Sequence, residues 1–557
     1  MDVLRFVALI GALVFVHEFG HFVVAKVLGV TVLKFSLGFG PRVVGFRGRE
    51  TDYCLSLLPF GGFVKLLGED PGEPVGREQL AHAFHSQSLV SRSAIVLAGP
   101  LMSLAFPVLL YFIVMLGQTT MTPPRIGTVV SGHPADGRLL PGDRVLTIDG
   151  RPVASFQEIR ERIATSPGRS LRFTVERGAR VVDTVVTPAS VTVERPLDAV
   201  QIVGRAGISA AFALSVIAVR TGDSPALRSG LRTFDLITSY AGRPIVRWMD
   251  LERALQANRG VTVPVSYLRP QPVLGALGGL CDLEVQQAGL VMFTPTPGDG
   301  DISTRTGIES PDLYVADLPV DSAEYEMGLR RGDKILLIDG VPPASFESMR
   351  ESLLAGGGRL HTVSFRHEGR EVAGAFELRA VRWSDEFGNQ FSRVLFRTDH
   401  WVPSVVEDPI PHPSPVLYAL VHATKQTGEA IVFVGLYVVR LFQGRVSVSS
   451  VGGIVTIYDA SRSNASSGLE GFLWLMALVS VNLGLLNLLP IPTLDGGHLA
   501  FFALEAAVGR SVSIRARRIA SVIGLVFVVI VTAIGLRNDL WRKFGNPRRA
   551  PVMVTEP

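Results

Sequence analysis

The sequence predicts a multi-span α-helical membrane protein, with four transmembrane helices in two halves and a soluble α+β region inserted between them. Apolar stretches long enough to span a bilayer lie near both ends of the 557-residue chain. The middle, residues 122–400, is soluble in composition and repeats itself three times. Hydrophobic residues make up 47% of the chain and mean hydropathy is +0.33, high for a soluble protein and low for one wholly in lipid. The net charge of +4 is spread out with no long basic run, so nucleic acid is not an expected partner. Membrane lipid is.

The first span holds the chemistry. Val14-Phe15-Val16-His17-Glu18-Phe19-Gly20-His21-Phe22 is a His-Glu-x-x-His motif in an otherwise apolar helix. Positions i and i+4 share a helix face, so His17 and His21 can aim ring nitrogens at one ion. Glu18 is placed to take a proton from water on that ion. From Phe6 to Leu28 the only other charged residue is Lys26. Ionisable groups in such a segment are costly and mark function by default. The plainer readings are a chance motif in a buried helix or a signal-peptide core. No small-residue cleavage site follows, and the segment is read as retained.

Thr31 to Asp70 comes next, rich in Gly and β-formers, with Phe35-Ser36-Leu37-Gly38-Phe39-Gly40-Pro41 and Leu58-Pro59-Phe60-Gly61-Gly62-Phe63-Val64-Lys65. Its alternation and turn residues predict short antiparallel strands. A polar loop leads to a second span, Ser93 to Gly117, where Ala98-Gly99-Pro100 and the internal prolines predict a kink. These parts form an N-terminal membrane half, 1–121.

Each repeat of the middle region carries an Asp, then a Gly, then an aromatic at fixed spacing. They are Asp143, Gly150 and Phe156, then Asp235, Gly242 and Trp248, then Asp333, Gly340 and Phe346. A helix-like stretch follows each aromatic. The second copy departs most, with Phe234 where the others have Gly142 and Gly332. A turn, buried strand, tight turn and helix in this order resemble the core of a PDZ domain, with boundaries at 122–197, 198–290 and 303–382. PDZ domains bind extended peptides as an added strand beside a helix. The resemblance therefore implies peptide segments as partners, at candidate edge strands after Gly207-Ile208 and Gly307-Ile308. The apolar run Val273 to Leu280 is too brief to span and is expected to be a strand or buried turn.

Segment 411–445 is apolar but broken by His422, Lys425, Glu429 and Arg440. It reads as a third span or as an amphipathic helix on the membrane surface. Ser447 to Ser467 is a Gly/Ser-rich connection. The C-terminal membrane half, 468–545, has a span from Gly471 to Leu489 and a last one from Ser521 to Leu536, before a tail at 546–557. Two histidines are too few for a zinc site, which needs a third protein ligand. Asp495 can supply it, on a loop that Pro490 and Pro492 free from the preceding helix; His498 is a competing candidate. Asn482 and Asn487 are polar groups on a membrane helix, either interhelical glue or part of a site. Cys54 and Cys281 lack metal-ligand spacing, and no disulfide is expected.

His17-Glu18-Phe19-Gly20-His21 together with Asn487-x-x-Pro490-x-Pro492-x-Leu494-Asp495-Gly496 resembles the site-2 protease family of intramembrane zinc metalloproteases. Repeats inserted between the second and third spans resemble its bacterial regulator-of-sigma-E branch. The resemblance implies Zn2+ held by His17, His21 and Asp495, with Glu18 as catalytic base and Asn487 as a substrate contact. It also implies that the loop around Gly38 to Lys65 is a membrane-embedded β-hairpin beside the site. A strand edge near 52–65, with Tyr53, Leu55 and Gly62 as candidates, could hold an unwound substrate by strand addition. Implied substrates are single-pass transmembrane proteins already trimmed by another protease, such as anti-sigma factors, or remnant signal peptides. Three features depart from the pattern. There are three repeats where the branch usually has two, Ser103 where Asn is common, and Gly453 where Pro is usual. The last two are expected to touch helix packing more than chemistry.

Joining both halves of the site fixes the expected topology. The 471–489 span must run in the same direction as the first helix, so 415–442 should not cross, leaving four spans. Loop 29–92 holds seven Lys/Arg and 496–519 holds four, so both are expected in the cytoplasm; the basic C-terminal stretch from Arg537 onward, with five, favours the opposite. The repeats are then periplasmic in a bacterial inner membrane. There they would exclude substrates with large periplasmic portions or recruit a trimmed C-terminus. Two rival classes remain: a catalytically silent PDZ scaffold, and a metal transporter. The first would follow from loss of any of His17, Glu18, His21 or Asp495; the second leaves Glu18 and the repeats without a purpose.

Overall fold

The computed structural model describes residues 2–69, 75–117, 119–195, 199–272, 284–384, 390–466, 468–510 and 512–544. The run Val273 to Leu280, Cys281 and the tail at 546–557 lie outside the described residues. Two compact units form: residues 1–119 with 384–389 and 412–557, and residues 120–383 with 390–411. The longer helices in chain order are α1 (Asp2–Val27), α2 (Leu89–Leu116), α3 (Phe156–Ala164), α4 (Trp248–Ala257), α5 (Phe346–Ala355), α6 (Pro415–Phe442), α7 (Ile454–Ser466), α8 (Leu469–Asn487), α9 (Asp495–Val508) and α10 (Ile514–Phe544).

Among the described residues α1, α2, α8 and α10 are the helices long and apolar enough to cross a membrane. The chain is a membrane protein. Helix α2 runs unbroken through Pro100 and Pro107. Glycines let the backbones of the bundle approach closely, as small residues do in membranes. A Cβ at Gly20 would lie 2.4 Å from the Ala98 carbonyl oxygen, and one at Gly484 would lie 3.1 Å from that of Pro100. Helix α6 is amphipathic, and its Ala423 is buried in one cluster with Leu9, Leu13, Leu110, Tyr111, Met476 and Ala477.

Thr31 to Asp70 forms two long bent strands, Val32–Arg47 and Asp52–Leu66, in place of the short ones expected. Gly38, Gly40 and Gly61, all at positive φ, make the bends. Segment 32–37 pairs with 62–66 on one side and, over 34–37, with 52–55 on the other. Segment 42–47 pairs with 52–56. The order is 62–66, 32–37, 52–56, 42–47, with the first and last as edges; the two outer pairings are antiparallel, and the register of the central one, Lys34 opposite Asp52 through Leu37 opposite Leu55, runs in parallel.

The stretch expected as a Gly/Ser-rich connection contains α7, whose start is capped from another helix. Asp539 of α10, 3% exposed, accepts the backbone N–H groups of Gly453, Val455 and Thr456 at 3.0, 2.9 and 3.2 Å. A carboxylate there satisfies free donors and complements the helix dipole. Gly453 is thus more than a packing detail. A proline would have no N–H to give Asp539, and a Cβ would lie 2.7 Å from its Oδ2.

Among its described residues the second unit has one core per repeat, around Ile126–Ala206, Ile217–Ile308 and Val315–Leu378, and a smaller cluster between the second and third. Each repeat core pairs an antiparallel sheet with one helix: α3, α4 and α5 in turn. The N–H groups of Gly142, Phe234 and Gly332 donate to the carbonyls of Ile126, Ile217 and Val315, each at 2.7 Å. The three repeats therefore share one turn. Phe234 holds it at φ 73, a conformation that costs a bulky residue of order 1 kcal/mol or more. Its ring is buried with Tyr314 and Ala316 and lies 6.2 Å from the Trp401 ring, joining the second repeat to the third. The first and last strands of the unit, Thr120–Met121 and Ile410–Pro411, pair with each other.

Candidate metal centre

Helix α1 and the first turn of α9 bring three ligand groups together. The Nε2 atoms of His17 and His21 lie 3.1 and 3.5 Å from Oδ2 of Asp495, and all three ligand atoms fall within 4.8 Å of one another. Ligand atoms ~2.0 Å from a tetrahedral ion sit about 3.3 Å apart, so the cluster fits one zinc with a position left open. Asp495 is not on a loop, as expected, but is the first residue of α9. Pro490 and Pro492 end α8, and the turn folds hard onto the new helix. A Cβ at Gly496 would lie 2.2 Å from the Leu489 carbonyl oxygen, and one at Gly497 2.3 Å from that of Ile491.

The other ring nitrogens are held from α2. His21 Nδ1–H donates to the Ile95 carbonyl at 2.8 Å, and His17 Nδ1 bonds the Ser103 hydroxyl at 3.0 Å. Engaging Nδ1 turns each Nε2 toward the centre. His21 lies directly on Gly99, where a Cβ would be 2.2 Å from its Nε2. Ser103, expected to matter for packing, supports a ligand instead. Its sequence signal was a lone hydroxyl one helical turn after Gly99 in an apolar stretch. Two neutral imidazoles, two carboxylates and Zn2+ carry no net charge, which suits a site among apolar helices.

The Glu18 carboxylate accepts the Val64 backbone N–H, and a Cβ at Gly62 would lie 3.2 Å from Glu18 Cγ. Glu18 therefore faces the 62–66 edge. Asn487 Nδ2 is 3.4 Å from His17 Nε2, at the rim of the cluster. Asn482 is not interhelical glue: its amide donates to Leu478 of its own helix at 3.2 Å. His498 does not belong to the three-ligand group. Tyr53 and Leu55 fall on 52–56, which is paired on both sides, so strand addition at those two residues is blocked. Tyr53 packs between Phe22 and Phe46 instead. Gly62 lies on an edge.

This donor set, two histidines on a helix of spanning length and a carboxylate at the start of the short α9, is that of a membrane metallopeptidase. The sequence matches peptidase family M50 over residues 5–531, and the chain belongs to that family, the zinc metalloproteases of site-2 protease type. It is 25% identical to the regulator of sigma-E protease RseP of Escherichia coli over 97% of this chain and 98% of that one. It is 26% identical to the regulator of sigma E protease of Haemophilus influenzae, over 96% and 98%. A Neisseria meningitidis protein named as a zinc metalloprotease is 27% identical over 97% and 99%. The solved PDZ domain of an SdrC-like protein from Listeria monocytogenes aligns with 15% of this chain and 83% of its own, at 20% identity and a TM-score of 0.13. That likeness is too slight to carry weight.

Proposed function

We propose that this zinc metalloprotease is an endopeptidase that cuts single-pass membrane proteins inside the bilayer. The observation that carries the proposal is the convergence of His17, His21 and Asp495 from helices α1 and α9, with their supports on α2. In this reading His17, His21 and Asp495 hold zinc, and Glu18 is the base. Zinc bound there supplies a Lewis acid for the scissile carbonyl and lowers the pKa of water. Glu18, steadied by the Val64 N–H, takes the proton of the attacking water and passes it to the leaving amine.

A helical substrate keeps its carbonyls in internal hydrogen bonds, so the segment to be cut must be extended. Outward-facing groups alternate along an antiparallel edge. Because the Val64 N–H faces Glu18, the backbone groups of Gly62 face the same way, and a substrate strand pairing at Gly62 would run past the base. Asn487 would contact it from the opposite rim. Val43, Val44, Phe46, Leu55 and Leu57 expose large apolar side chains, which supports a sheet embedded in lipid. Likeness to the regulator of sigma-E proteases supports trimmed anti-sigma factors or remnant signal peptides as substrates. It also supports an inner-membrane setting with the insert in the periplasm, as PDZ-like domains whose boundaries fall later than the expected 197/198 and 290/303, since Ala206 closes the first core and Ile308 the second.

The test is to co-express candidate single-pass proteins with the wild type and with Glu18→Gln, and to measure zinc in both purified proteins. The expected result is a shortened product with the wild type only and equal zinc in both, because the substitution removes the base and leaves the ligands. Cleavage near the wild-type rate by zinc-loaded Glu18→Gln would overturn the mechanism.

A further inference from the structure

Each repeat packs one face of a hairpin on its core, and the three outer faces differ. The hairpins are Leu171–Arg177 with Arg180–Val186, Val263–Pro272 with Glu284–Phe293, and Leu360–His367 with Arg370–Glu377. Phe173, Val265 and Phe365 are buried in the three cores, so alternation turns the next residues along each strand outward. The first repeat has Arg172, Glu176 and Asp183 on its outer face, and the third has Arg366, Glu371 and Glu377. In the second, the register sets Pro264 beside Met292, Ser266 beside Leu290 and Leu268 beside Ala288. From Pro264 to Pro270 and from Gln286 to Met292, no residue on that face is charged. Leu290 is 67% exposed and Met292 59%.

The connections differ in the same sense. The first hairpin turns at Gly178-Ala179 and the third at Glu368-Gly369. In the second, the sequence between the strands is Val273-Leu-Gly-Ala-Leu-Gly-Gly-Leu-Cys-Asp-Leu283, with Asp282 its only charge. Short links hold the insert at the bilayer. The spanning helix α2 ends at Leu116 and the first strand of the insert begins at Thr120; its last strand ends at Pro411 and α6 begins at Pro415. An exposed apolar face of this kind marks a contact with a protein or with a membrane. A protein interface adds directional hydrogen bonds around an apolar centre, and here only the Ser266 hydroxyl and the Gln286 amide could give them. A lipid surface needs none, and the tethers keep one within reach.

We propose that the second repeat docks on the bilayer surface through the outer face of its hairpin, with Leu290 and Met292 entering the lipid. The first and third repeats, charged on the same face, do not dock. The docking is independent of the chemistry at the metal. The test places the full chain, carrying Cys54→Ser and Cys281→Ser, in vesicles of phosphatidylcholine and phosphatidylglycerol. An environment-sensitive dye is attached at Ala288→Cys, or at Val185→Cys or Ala373→Cys on the outer faces of the first and third repeats. Part of the lipid carries a nitroxide quencher just below the headgroup. The dye at 288 should lose most of its emission, and the dyes at 185 and 373 little. Leu290→Glu with Met292→Glu gives this face the charge of its sisters, at two exposed positions where the fold does not depend on the side chain. That pair should lower the docked fraction at least about tenfold and restore the emission at 288. Equal quenching at all three positions, or quenching at 288 that survives the double substitution, would overturn the proposal. So would an unquenched dye at 288, and if that dye were still shielded from water the face would belong to a second copy or another protein.

Discussion

Ser103 brings a hydroxyl to His17 Nδ1 from a helix that supplies no metal ligand. Losing such a partner typically costs 10–100-fold in metal affinity or activity, so Ser103→Ala should show weaker zinc binding in competition with a chelator and a matching fall in cleavage. Gly99 acts by having no side chain. Gly99→Ala would drive a methyl group into His21, and zinc per mole of purified protein should fall well below that of the parent while α2 still forms. The clustering of the three residues proposed to hold zinc was legible in the sequence. A fixed i, i+4 spacing in an apolar helix points at one ion, and the Pro-x-Pro-x-Leu-Asp segment supplies the missing carboxylate. Ser103 and Gly99 were not legible in these roles, because each depends on how α2 packs against α1, and hydropathy reports only that both helices are apolar.

Helix α7 shows how an element can be hidden from its own sequence. Its start has no side-chain cap of its own, and its composition reads as a connection, because the capping carboxylate, Asp539, comes from 86 residues away. Asp539→Ala leaves three partly buried N–H groups without that acceptor and should lower stability by about 1–3 kcal/mol. Thermal unfolding checks the size, and faster proteolysis around 446–456 checks the place. Phe234 presents the opposite case: the departure from the repeat pattern was visible, but its reason was not. Phe234→Gly relieves roughly 1 kcal/mol of backbone strain and forfeits about 3–5 kcal/mol of ring burial, so the second and third repeats should come apart at lower denaturant concentration. The β-region met the antiparallel expectation in its outer pairings and departs from it in the central one, where 34–37 and 52–55 run in parallel. Its order was not readable, because two strands bent at glycines make four segments, and the fold-back moves Tyr53 and Leu55 from an edge to the interior.

At the scale of the whole chain, the two halves of the metal centre are separated in sequence by a unit whose first and last strands pair with each other. Replacing residues 125–375 with a short linker should let the enzyme cut full-length, untrimmed substrates if the insert excludes them. An untouched full-length substrate, with a trimmed one still cut by the same deletion variant, would show recruitment instead. The four spans and the inserted repeats were legible because hydropathy and period act over tens of residues. The central claim is that hydrolysis occurs inside a substrate's apolar span, at the zinc centre with Glu18 as its base. Mass spectrometry of the fragments from one single-pass substrate, incubated with purified wild type and with Glu18→Gln, tests it most directly. The account predicts a scissile bond within the substrate's hydrophobic segment and no fragment from the variant. A bond outside that segment, or the same fragments from both proteins, would contradict it.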